Sequence, residues 1–168
     1  GDVDVVRGGG ETRRGPIKNT HSIVNFGGAA VTGNRGTLDT SGGVYNITGT
    51  LDNSGATYTV PASAGSFTLL GGRILGGTFN TGSGAPLLFT NNSNNRLDGV
   101  LINGALNLSA SSALVRLQNG ASINGTATLT GASSILAFEE TSTIGTSLTI
   151  NLNTDTQTVG TAFLTIEG

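Results

Sequence analysis

Cysteine, methionine and tryptophan are absent from this chain of 168 residues, which excludes both a disulfide framework and a Cys–His metal centre. Charge is scarce as well. Asp, Glu, Lys and Arg make up 11% of the residues, against roughly a quarter in an average soluble domain. The net charge of −2 gives no electrostatic ground for nucleic acid or an anionic membrane as partner. No apolar run approaches the ~20 residues of a membrane span, so no membrane insertion is expected. No export signal is visible and the first residue is Gly1, which reads as a mature product or an excised piece. The lack of cysteine fits an exported bacterial protein that folds without disulfides. Chemical signatures are missing too: there is no GxSxG, HExxH or Walker sequence, and so no cofactor is expected. The Asp-bearing nonapeptide of calcium-binding β-rolls is also missing.

Ser, Thr and Asn supply about a third of the residues, and Gly another 28. Short clusters of Val, Ile, Leu and Phe recur throughout, so disorder is rejected. Small residues, frequent turns and short apolar runs indicate all-β structure.

Internal repeats specify the architecture. "GTLDTSGGVYNIT" (36–48) is followed directly by "GTLDNSGATYTVP" (49–61), a period of 13 that makes Asp39 equivalent to Asp52 and Tyr45 to Tyr58. "ALVRLQNGASI" (113–123) aligns with "SILAFEETSTI" (134–144) at a period of 21. "PLLFTNN" (86–92) precedes these by about one turn, and "AFLTIEG" (162–168) follows them. A second series comprises "ILGGTF" (74–79), "INGALNL" (102–108), "INGTATL" (123–129) and "IGTSLTI" (144–150). Asn103-Gly104, Asn119-Gly120 and Asn124-Gly125 supply corners, since these dipeptides reach positive φ at low cost. One strand–corner–strand unit per repeat predicts a coil whose strands pair with those of the next coil. Leu117 then lies near Phe138 inside, and Asn103 near Asn124 at a corner. The expected fold is an all-β parallel solenoid of five to six coils, with residues 1–35 an irregular first coil or cap and 36–168 the repeats. Coils of about 26 residues are expected.

Runs such as 97–138 resemble the right-handed parallel β-helices of bacterial surface and secreted proteins, including filamentous-haemagglutinin-type adhesins and autotransporter passengers. The resemblance covers residues 36 to 168 and lies in the cadence of Gly, Asn-Gly and alternating Leu, Ile and Thr. It implies a secreted or cell-surface bacterial setting and transfers no functional residue. Pectate-lyase-like enzymes share that fold class, and the chain lacks their acidic, calcium-binding and basic cluster.

The candidate residues are weighed against simpler roles. His21 is the only histidine, and without an acid nearby in sequence it reads as an ordinary loop residue. Asp39 and Asp52 could form a carboxylate pair for glycoside chemistry, yet "LDTSG" and "LDNSG" are Asx-turn sequences. Asp98, before Gly99, reads as a turn residue, and Glu139-Glu140 as a solvated edge. Arg7, Arg13, Arg14, Lys18 and Arg35 make the N-terminal region basic, read as a solvated segment in preference to an anion patch. Threonines in "TATLT" and "TSLTI" suggest an ice- or sugar-facing column, but their register across coils is poor, and Thr favours strands in any case. The polar loop 90–96 offers surface contacts through Asn91, Asn92, Asn94, Asn95 and Arg96, while Tyr45 and Tyr58 are the candidate sugar-stacking residues. The expected function is a structural or adhesive module with no enzymatic activity. Its partners would be neighbouring repeats, further copies stacked end to end in a filament, or a carbohydrate or host surface. The uncapped apolar end "TAFLTIEG" motivates the stacking. The alternatives are a polysaccharide-active enzyme on the same scaffold, and an antiparallel β-sandwich fibre subunit with a donated strand.

Overall fold

The computed structural model describes residues 3–7, 17–20, 23–32, 38–82, 85–139, 147–152 and 158–159. Among these residues every strand pairing is parallel and no α-helix occurs. The chain is an all-β parallel solenoid, and the antiparallel sandwich is thereby excluded.

Two long ladders carry the stack. One runs through Ile23–Val31, Val44–Ile47, Ser66–Leu69, Leu87–Phe89, Leu101–Asn107, Ser122–Leu129 and Leu148–Leu152. The other leaves the far end of Ile23–Val31 and climbs through Thr50–Asp52, Arg73–Leu75, Arg96–Asp98, Leu114–Gln118, Ile135–Phe138 and Thr158–Val159. A third, shorter face begins with Thr57–Thr59 and Thr78–Asn80, and merges with the first ladder in Leu101–Asn107. Leu87 faces Leu106 and Arg73 faces Arg96, so a turn takes 19 to 23 residues, shorter than the expected 26. Between Tyr45 and Ile150 the path makes five turns, through Phe67, Leu87, Leu106 and Ala127.

Alternation explains why these segments are strands. In Leu114–Gln118, Val115 and Leu117 are buried while Leu114, Arg116 and Gln118 stay partly exposed; in a strand, successive side chains point to opposite faces. Equivalent inward positions then fall into columns. Ala30, Leu51, Ile74, Leu97, Leu117 and Phe138 form one column, and each of them is buried. Tyr58, Phe79, Ile102 and Ile123 form another. Each fully buried Leu, Ile or Phe stabilises the stack by about 1.5–3 kcal/mol, and only against the rungs above and below.

Several sequence expectations change. Asn103 does lie over Asn124, and Leu117 over Phe138. The period of 13, however, is not the coil. Asp39 faces Lys18 in a separate pair of strands, Ile17–Thr20 with Leu38–Ser41, while Asp52 sits between Val31 and Leu75. The repeated string marks two successive strand–turn units of one path, not two stacked ones. "PLLF" aligns one face earlier than expected, with Leu87 opposite Leu106. In "ILGGTF" it is Phe79, not Ile74, that lies under Ile102. Val3–Arg7 and Ile23–Val31, within the region read from sequence as an irregular first coil or cap, pair in the first ladder. His21, Glu140 and the segment 162–168 lie outside the described residues.

Candidate functional site

Buried amides make the corners. Asn53 is fully buried, and its Nδ2 donates to the carbonyls of Ala56 (3.2 Å) and Thr78 (2.9 Å). Its Oδ1 accepts from Thr32 Oγ1 at 2.7 Å. Asn95, also fully buried, repeats the device. Its Nδ2 donates to Thr90 O and Leu114 O, both at 3.0 Å, and its Oδ1 accepts the Gly71 N–H at 2.7 Å. A turn in this stack cannot satisfy its backbone groups through strand pairing, and an asparagine, with donor and acceptor on one short side chain, does so instead.

That geometry divides the predicted contact loop. Asn91 and Asn94 are exposed. Asn92 is half-buried, with its Oδ1 accepting the Asn94 N–H at 2.9 Å. Arg96 is half-exposed and donates from Nη1 to Ser93 O at 3.0 Å. Asn95 is not a contact residue at all, because its amide is consumed inside the corner.

The tyrosines are likewise corrected. Tyr45 is fully buried, stacked between Phe26 (centroids 5.8 Å apart) and Phe67 (4.8 Å). Tyr58 packs against the same core, 5.3 Å from Phe79. Tyr45 offers no open ring face to a sugar, and Tyr58, at an inward position of its strand, is only partly exposed. Tyr45→Ala is therefore expected to cost about 3–5 kcal/mol of stability, read as a lowered urea midpoint, where a surface sugar contact would leave the midpoint unchanged.

Asp52 accepts the Ser54 N–H at 2.9 Å, the Asx turn its sequence implies. Hydrogen bonds from Ser54 hold its carboxyl below the usual range, with the Arg73 charge adding to the effect. Asp98 is the acid the sequence underrated. It is 4% exposed and accepts from Arg73 Nη1 (3.1 Å), Gln118 Nε2 (3.0 Å) and Asn119 Nδ2 (2.7 Å). Asn119 and Gly120 take positive φ, as the Asn-Gly corner requires, and this turns the amide toward Asp98. With three donors at its two oxygens, the carboxylate is engaged in tying three rungs together. Among the described residues, no three acids or histidines gather into a metal-binding group.

Outward positions of the second ladder hold a column that sequence reading missed. Arg73, Arg96 and Arg116 stand in register on consecutive rungs. Arg73 pairs with Asp98, and Arg116 with Glu139. The only signal in the sequence was their spacing of about one coil, which has meaning only once the coil length is fixed. A neutral column stands on the short face, where Asn80 Nδ2 donates to Thr59 Oγ1 and Asn103 Nδ2 to Asn80 Oδ1, each at 3.0 Å. Asn46 Nδ2 donates likewise to Asn25 Oδ1 at 2.9 Å on the first ladder. No family model, curated protein or solved structure matches the chain at a significant level.

Proposed function

We propose that this chain is a structural or adhesive module of a secreted or cell-surface bacterial protein, a stiff segment whose lateral faces meet other molecules. The observation that carries this reading is the pair of unbroken parallel ladders with inward apolar columns and outward polar ones. Stacks of this kind hold their shape because each rung is fixed by two neighbours, and they present flat, repeating faces. The cadence of Gly, Asn-Gly and alternating aliphatics supports the likeness to right-handed β-helical adhesins and autotransporter passengers. The last described rung of the first ladder, Leu148–Leu152, leaves Leu152 55% exposed at an inward position, an apolar edge of the kind that a further strand covers.

Two measurements test this. Antibody labelling and protease shaving of intact source cells are expected to reach the protein, and confinement to the cytosolic fraction would sink the reading. Beads coated with the purified chain are expected to adhere to host-cell or polysaccharide-coated surfaces more than beads coated with an unrelated protein of equal charge.

A further inference from the structure

The arginine column follows a rule and breaks it once. Arg73 and Arg116 each pair with the outward residue two positions beyond their partner on the next rung. From Arg73, opposite Arg96, that residue is Asp98; from Arg116, opposite Ala137, it is Glu139. From Arg96, opposite Arg116, it is Gln118. The glutamine cannot neutralise a guanidinium, and its Nε2 is already turned to Asp98. Among the described residues no carboxylate lies within ion-pair reach of Arg96, whose hydrogen bond goes to Ser93 O.

Arg96 is thus an uncompensated guanidinium flanked by two compensated ones on strands about 4.8 Å apart. Like charges directly opposite in a sheet repel. An anion seated on Arg96 would remove that cost and use N–H donors that the fold leaves over, since Arg carries five in a planar fork matched to carboxylate. The surroundings narrow the class of anion. Arg73 and Arg116 on the adjoining rungs are already paired with Asp98 and Glu139, and the whole chain carries −2. A densely charged polymer such as nucleic acid finds a single open guanidinium there, the adjoining two being already paired. A hydroxyl-rich chain with well-spaced carboxylates matches that spacing.

We infer that the face centred on Arg96 binds the carboxylate of an acidic polysaccharide. This rests on the adhesive reading above and names its ligand class.

The test is retention of the full chain on immobilised polygalacturonate, with dextran, polyaspartate and duplex DNA as comparisons, at low salt. Retention on polygalacturonate alone is expected. Arg96→Gln should weaken it about tenfold, the effect of losing one charged hydrogen-bonding partner. Glu139→Gln removes the counter-charge of Arg116 and should strengthen retention severalfold, a gain that misfolding cannot produce. Equal retention on dextran, tighter retention on polyaspartate or DNA, or unchanged affinity in both variants would overturn the inference. If polygalacturonate is not bound while coated beads still adhere elsewhere, the carboxylate site falls and the adhesive reading stands. If neither binds, both fall.

Discussion

Asn95→Asp, a change of one atom in shape, is expected to lower the stability of the stack by about 3–5 kcal/mol, the range found when a buried charge is left without a partner. Asn95 is fully buried, with Nδ2 set between the carbonyls of Thr90 and Leu114. A carboxylate offers acceptors only, so two donated bonds become two repulsive contacts in a site closed to water. Protonation would restore one donor, so the folded state favours the neutral acid and raises its pKa. The lost stability should accordingly be smallest below the ordinary carboxylate range and grow as pH rises through the raised value. Urea titrations at acidic and neutral pH measure both quantities. Asn94→Asp, one residue away and exposed, is expected to stay within about 0.5 kcal/mol. If the two variants behaved alike, the corner would not be held by Asn95.

The second large effect is expected at Gly125. Its φ of 149° is open to few other residues, and a Cβ built there would lie 2.1 Å from the Gly104 carbonyl oxygen on the rung below. Gly104 itself packs on Thr81, where an added Cβ would come within 2.0 Å of Oγ1. This glycine pile is the bend at which the short face and the first ladder join, so the backbones of successive turns touch with no room for a side chain. Gly125→Ala should cost about 2–4 kcal/mol, the sum of backbone strain and overpacking. Gly120 also has positive φ, at 77°, yet an added Cβ there meets nothing within 4 Å. Gly120→Ala should therefore cost only the left-handed penalty of about 1–2 kcal/mol. Chemical denaturation of both variants reads the two costs directly.

The architecture was legible because its strongest signal is short-range. Asn-Gly recurs at 103 and 124, and Leu117 and Phe138 recur at the same interval, so the upper coils can be aligned by eye and pair in that register. The lower coils misled for an equally physical reason. Residues 36–48 and 49–61 share a string although Leu38–Ser41 and Thr50–Asp52 belong to different ladders, because a coil with several faces contains more than one strand–turn unit. Similarity of local structure is not similarity of height in the stack. The candidate surface was harder to read. Asn94 and Asn95 are identical letters in one polar loop, and only the turn's geometry decides which amide faces inward. Tyr45 was expected at the surface, yet alternation in Val44–Ile47 places it and Ile47 in the core. The arginine column has no motif, and its meaning lies in what stands one rung above and two residues along.

All described pairings being parallel has a consequence for tension. The hydrogen bonds between rungs point along the stack, so pulling the two ends apart strains them in sequence, starting at the outermost turn. One turn of about 21 residues pays out roughly 70 Å of extended chain before the next begins to give. Under load the molecule would lengthen stepwise at modest force, while sideways shear, which engages a whole rung at once, would meet much greater resistance.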